Sequence, residues 1–536
     1  MHLTIRTKLT SITLMLALSS VVCTSGYITP DSLTATAAFL SQETTVPTVF
    51  VIHPTVTATK EPVESDTAEP TLTISSSVTQ EDIQITSTAT AKAPGEATES
   101  LVYFAQAGDT LFNLSVRFGV NPLEIASTEI IPETGLIKPE QLLNIPKRLE
   151  ETSNDVMLLP DSEVVYSNSA RDFNTATFVS VMGGKLDSYH YYLGTTGLST
   201  GSQILERVAI ENSINPRLLL SLLQYQSNWV FGQPTSLSQT EYPMGYYDHA
   251  NKDLYNQLTW ACNQLATGYY GWREGKLTSL TFADNSTLRL APTLNSGTVA
   301  LLFFFNQAYP DHDRWISAVD PDQGFVQQHI EMFGDPMARA AAVEPLLPAN
   351  LEQPPLILPF MREQMWAYTG GPHGAWELEG AQAAIDFAPG SIEPGCVKSD
   401  TWVLAAAPGV ISRLAKGIVV LDLDGDGNEL TGWNLLYLHL SGIDHLKVGQ
   451  WVDKGDLLGH PSCEGGISTG THIHLARKYN GEWISASGPV PFNLGGWIAH
   501  EGNEPYQGTM VRGDETITAS PNSAYYSNII RTDEDP

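Results

Sequence analysis

The chain has 536 residues, enough for about three domains, and carries 59 acidic against 28 basic residues, a formal net charge of −31. That balance excludes nucleic acid as a partner and suits a secreted or surface protein kept soluble by its charge. It does not identify a substrate.

Arg6 and Lys8 precede an apolar run from Leu9 to Val22 that is short for a transmembrane helix, so residues 1–25 read as a signal peptide. Cys23 raises membrane attachment through a lipid as an alternative to ordinary cleavage, although Ser20-Val21-Val22 is a poor lipobox because it puts no small residue directly before the cysteine. Residues 26–100 are rich in Ser, Thr and Pro, with Lys60 and Lys92 as their only basic residues. Such a segment cannot bury enough apolar area to offset ordering entropy and is expected to be a disordered linker, with a β-prone patch at Val46–Val56.

Residues 101–148 predict a strand, a turn and a helix whose apolar face is Leu111, Leu114 and Phe118. Asn121-Pro122 then breaks the chain, a second short helix starts over Leu123 to Ser127, and a closing strand follows at Leu142–Pro146. Tyr103, Gly108-Asp109-Thr110-Leu111, Phe118-Gly119-Val120 and Ile145-Pro146 make this segment resemble a LysM module, a βααβ unit. The resemblance implies binding of N-acetylglucosamine-containing glycans such as peptidoglycan, with Gly108, Asp109 and Thr110 as substrate-binding residues. Two positions depart from the pattern: Pro139-Glu140 stands where Pro-Gly is usual, and Ser127-Thr128-Glu129 lacks the usual Asn.

Residues 150–345 open with strand-like pieces at Glu163–Tyr166 and Ala176–Val181, then turn helical from Ser202. Ile214 to Trp229 resembles the catalytic helix of lysozyme-like lytic transglycosylases. The general acid of that family falls on Gln226, which cannot exchange a proton near neutral pH, so an inactive, mostly α lysozyme-like domain is expected. Its aromatic residues could stack on sugars or simply fill a core. Cys262 is most simply a buried free thiol.

After the Pro354-Pro355 boundary, residues 350–515 carry many short strands separated by turns, the pattern of an antiparallel β domain. Thr471-His472-Ile473-His474 is its chemical centre, because alternate residues of a strand project to one face about 7 Å apart. His373, Asp386 and His439 complete an inventory of nitrogen and oxygen ligands sufficient for a hydrolytic zinc site with histidines to spare. Asp422-Leu423-Asp424-Gly425-Asp426-Gly427-Asn428 resembles the start of a calcium loop, but Trp433 holds the position of the bidentate Glu, and a hairpin turn is the simpler reading. Tyr506 is a candidate to assist an oxyanion or to pack. Residues 516–536 read as a loose polar tail.

Residues 360–510 resemble the M23 metallopeptidases, in the β-lytic, LasA-like branch, whose first histidine lies in a Gly-Pro-His segment matched by His373. The four-before-Asp position used by most M23 members is Gln382 here, a difference of branch. The resemblance implies one Zn2+ per chain held by His373, Asp386 and His474, with His472 as general base and His439 stabilising the tetrahedral intermediate. It also implies a disulfide between Cys396 and Cys463. Together these readings describe a monomeric bacterial zinc endopeptidase, secreted to the cell wall or outer surface, that cuts peptidoglycan peptides. The rival reading is a non-catalytic peptidoglycan-binding scaffold or amidase activator, which predicts ligands lost from the site.

Overall fold

The computed structural model describes residues 99–536 apart from 310, 377, 392, 534 and 536. The signal peptide, Cys23 and nearly all of the 26–100 linker, its Val46–Val56 patch included, lie outside the described residues. Among the described residues no helix is long and apolar enough to cross a membrane.

The first segment pairs β1 (Ser100–Phe104) antiparallel with β2 (Leu142–Pro146) across α1 (Leu111–Phe118). Thr110 caps α1 in a reciprocal box with Asn113, and Gly119 ends it in the left-handed conformation. Its second helix differs from expectation: it is a three-residue 3-10 turn, Pro122–Glu124, capped by Asn121. The residues that follow leave the helix because Ala126 pairs with Asn144 of β2.

The middle segment is helical from its start, where strands were expected. Asp161–Val164 forms α2 and Thr175–Met182 forms α3, with Asn174 as the cap of α3. The β-branched run over Ala176–Val181 favours a strand by local propensity, but Val179 faces the helical core and tertiary packing prevails. The body is built from α4 (Gly201–Asn212), α5 (Pro216–Ser227), the long α6 (Leu254–Arg273), α7 (Ser296–Ala308) and α8 (Phe325–Phe333). Pro216 starts α5 where its missing N–H costs nothing.

On α8, His329 is wholly buried, with Nδ1 2.8 Å from Ser221 Oγ and Nε2 facing Glu163 and Arg339. Burial pushes its pKa below the usual value, against the upward pull of Glu163. Glu163 is likewise held low, because His329 and Arg339 outweigh its burial. Both shifts have one sign: the stability they contribute is present above the unfolded pKa values and lost as pH falls through the folded ones. The thermal midpoint is therefore expected to fall between about pH 7 and about pH 5, and less steeply in His329→Gln. Equal slopes in a calorimetric pH series would show that this ring does not titrate on unfolding.

The C-terminal segment is dominated by a nine-stranded antiparallel sheet. Its strands are β3 (Met365–His373), β4 (Ala384–Pro389), β5 (Gly409–Ala415), β6 (Ile418–Asp422), β7 (Trp433–Leu438), β8 (Trp451–Val452), β9 (Ile473–Tyr479), β10 (Glu482–Trp483) and, later in the chain, Asn528–Ile530. The order is β8-β5-β6-β7-β9-β4-β3 with Asn528–Ile530 at the edge, and β10 pairs beside β9. The expected loose tail is thus partly built in. Glu515–Thr518 joins a second, four-stranded sheet, and Ile529 buries against the core as its strand pairs with β3.

Alternation along these strands separates two apolar faces. Val419, Leu421, Tyr437 and Leu475 enter a core internal to the segment, whereas Ile418, Val420, Leu436 and Ala476 point to the other side and join the helical core. The described residues accordingly belong to one compact unit, and the proline-rich boundary at 353–355 does not separate two cores. The β9–β10 turn, Asn480-Gly481, has both residues at positive φ, as a tight hairpin requires. It inserts under the helices, where Ser213 Oγ donates to the Gly481 carbonyl at 2.5 Å and Trp483 N donates to Tyr270 Oη at 3.0 Å.

Candidate metal centre

On the helix-facing side of the large sheet, His474 of β9 lies in register with Asp386 of β4, and His373 closes β3 opposite Ala384. Two register shifts in the β3–β4 pairing, around Gly370, swing His373 toward Asp386. His373 Nε2 is 3.0 Å from His474 Nδ1, and each of these nitrogens is 3.3 Å from Asp386 Oδ1. All three side chains are buried, and these atoms form a group able to hold a metal ion.

The hydrogen bonds fix which atoms are free. His373 Nδ1 faces the Gly371 carbonyl at 2.7 Å, and His474 Nε2 faces the Ala375 carbonyl at 2.9 Å. A carbonyl only accepts, so each of those nitrogens carries the proton. His373 Nε2 and His474 Nδ1 are therefore left as lone pairs facing each other, and buried Asp386 Oδ1 has no hydrogen-bond partner. Three acceptors converging without a donor fit a divalent cation, with the carbonyls as outer partners that orient the rings. Without a cation, a proton must serve. Although burial lowers it, His373 is drawn above its usual pKa chiefly by Asp386. Burial raises Asp386, but His373 and His472 hold it well below the carboxylate range.

His472 and His439 stand beside this group. His472 directly precedes β9; its Nδ1 lies 2.7 Å from the Gly470 carbonyl, and its Nε2 is 3.8 Å from Asp386 Oδ2. His439 Nδ1 lies 2.8 Å from the Glu464 carbonyl, and its ring centre is 4.5 Å from that of His472. Both rings thus keep an unprotonated Nε2, which in His472 is the nitrogen that faces Asp386. Burial first, and His472 second, push the His439 pKa down to about 4. The Cys396–Cys463 disulfide ties the loop containing Glu464 and Gly466 to the segment after β4. Tyr506 stacks on His373 with ring centres 4.0 Å apart and is stapled to that strand by Gly371 N donating to the Tyr506 carbonyl at 2.8 Å.

The carbonyls of Gly371, Ala375, Gly470 and Glu464 leave no trace in a sequence, because any residue supplies them. Gly370 is a second contributor that motif reading missed. A Cβ added there would lie 2.6 Å from Asp386 Oδ2. Gly370→Ala is expected to displace that carboxylate and weaken zinc affinity by about 10- to 100-fold, the range for disturbing a ligand's support. Zinc titration of the metal-stripped protein would read this, and unchanged affinity would show that the carboxylate has room to move.

The expected glycan contacts are placed differently. Asp109 is 2% exposed, accepts from Tyr103 Oη at 2.8 Å and from Gln106 N at 2.7 Å, and pairs with Arg117. Thr110 Oγ accepts from Asn113 N as the α1 cap. Gly108 is buried against Arg273 of α6. In this arrangement none of the three offers a free side chain to solvent, because Asp109 neutralises a buried guanidinium. In the middle segment Gln226 accepts from Tyr309 Oη at 2.5 Å. The Asp422 carboxylate accepts from Asp424 N at 3.1 Å and Gly427 N at 2.7 Å, the bonding of a capped turn.

Residues 157–348 match a family model described as LasA, N-terminal domain. Protease LasA from Pseudomonas aeruginosa is 27% identical over 369 residues, covering 63% of this chain and 78% of that protein. Beta-lytic metalloendopeptidase from Achromobacter lyticus is 28% identical over 141 residues, 25% of this chain and 35% of that protein. Among solved structures, the M23 metalloprotease pseudoalterin is 26% identical, covers 31% of this chain and 96% of its own, and gives a TM-score of 0.27. The sequence matches support kinship with LasA-like M23 metallopeptidases.

Proposed function

We propose that this chain, related to LasA-like M23 metallopeptidases, is a secreted or surface-attached zinc endopeptidase acting on peptidoglycan stems or cross-bridges. The observation that carries the reading is the convergence of two imidazole lone pairs and an orphaned carboxylate oxygen, flanked by two further histidines with free Nε2 atoms. Zinc would be held by His373 Nε2, Asp386 Oδ1 and His474 Nδ1, and would supply Lewis acidity toward a peptide carbonyl and toward water.

His472 takes the proton of the attacking water on Nε2, its ring aligned by the Gly470 carbonyl. His439 faces the same space and stabilises the tetrahedral intermediate. Because its Nδ1 already serves Glu464, it does so only once Nε2 has taken up a proton, a form that burial opposes in the free protein and the developing oxyanion favours. The module at 101–148 binds wall glycan and raises the local concentration of peptide at the site. The test is zinc content together with peptide release from purified peptidoglycan, before and after chelation. One zinc per chain and release lost on chelation support the reading; a chain without zinc that still binds the wall overturns it in favour of a scaffold.

A further inference from the structure

The face of the small module that carries Gly108, Asp109 and Thr110 is turned inward. Gln106 Nε2 donates to the Thr293 carbonyl at 2.8 Å, and Asn113 Nδ2 donates to the Arg273 carbonyl at 2.8 Å. Arg273 in turn donates to the Ala107 carbonyl. Farther along α1, Arg289 Nη2 bonds the carbonyls of Val116 and Arg117 at 2.9 and 2.8 Å. The loop leading into β2 is covered as well, since Leu136 packs with Leu347, Ile484 and Val490. The bonds fall on both sides of the turn at 106–110 and satisfy backbone carbonyls that would otherwise be exposed to water.

We propose that the module is held shut on the helical segment, and that glycan binding at its 106–110 loop competes with this docking. Glycan would then release the module from α6 rather than simply add to it. The inference rests on the reading of residues 101–148 as a glycan-binding module. A docked loop lowers the apparent glycan affinity by the fraction of molecules in which it is free. Removing a docking bond must therefore strengthen glycan binding, the opposite of what loss of a contact normally does.

Two variants of the full chain test this, with a chitin oligomer of five N-acetylglucosamine units as the probe. Arg289→Ala removes two docking bonds from a residue outside the module and is expected to tighten binding about tenfold. The pair Val116→Cys with Gly275→Cys can lock the module shut, because a Cβ at Gly275 would lie 3.7 Å from Val116 Cβ, within the span of a disulfide. Gly275 has φ +73°, so the reduced pair, which carries the same backbone strain, is the reference for the oxidised one. The oxidised pair is expected to lose binding at least about tenfold and to regain it on reduction, with the unsubstituted chain as the control for reductant. Binding that is equal in the oxidised, reduced and Arg289→Ala proteins overturns the competition and leaves the glycan reading standing. No binding by any form, the Arg289→Ala variant included, overturns the glycan reading and the competition with it.

Discussion

His474→Ala is expected to take the zinc content from one per chain to near zero and to lower peptide release by at least about a thousandfold, since metal polarisation of the carbonyl supplies several kcal/mol. The loss is chemical rather than structural. Removing the ring leaves the Ala375 carbonyl short of its partner, while the apolar sheet around β9 is untouched. His439→Ala separates the roles. That ring is 6.2 Å from His474 and bonds Glu464, outside the buried three-atom group, so zinc should stay bound while hydrolysis falls by about 100- to 1,000-fold. Metal analysis beside a peptide-release assay reads both. Zinc retained by His474→Ala, or lost from His439→Ala, would mean that the ligand set is assigned wrongly.

The second large effect is expected at Arg273, far from the chemistry. Its Nε and Nη2 bond the two oxygens of Glu482 at 2.9 and 3.0 Å, and Nη2 also reaches Asp161 Oδ2 at 3.1 Å and Tyr269 Oη at 2.9 Å. With its bond to Ala107, this guanidinium joins the small module, the helical body and β10 of the large sheet. Arg273→Met leaves Glu482 buried and unpaired, which costs about 3–5 kcal/mol. Adding Glu482→Leu removes the stranded charge and should return part of that loss, because Asp161 keeps Asn295 and Gly297 N at 2.8 Å each. Denaturant unfolding of the two single variants and the double measures the cycle. A double variant as unstable as the sum of the singles would mean that the pair does not interact.

The side chains that converge at the candidate metal centre were legible in the sequence because each is a rare side chain in a motif: His373 after Gly-Pro, Asp386 inside an apolar strand, and His472 and His474 two apart. What orients them was not legible. Four backbone carbonyls fix the ring tautomers, and Gly370 makes room for a carboxylate, yet a carbonyl carries no sequence signature and a glycine has many uses. Thr175–Met182 misled because its β-branched residues favour a strand locally, and the helix exists through packing of Val179. Gly108-Asp109-Thr110 could be recognised as a motif, but its inward orientation depends on Arg273 and Thr293, more than 150 residues downstream.

The apolar face shared by Ile418, Val420, Leu436 and Ala476 with the helices bears on how the chain acquires its fold. During synthesis the helical segment leaves the ribosome first, with the surface for this contact exposed, and the strands that carry these four residues begin only at Ile418. Until Asn480-Gly481 turns the chain and places Trp483 beneath Tyr270, the helical core lacks the side that the sheet supplies. The helical segment is therefore a template that waits for the sheet. The same seam backs the strands that carry His373, Asp386 and His474.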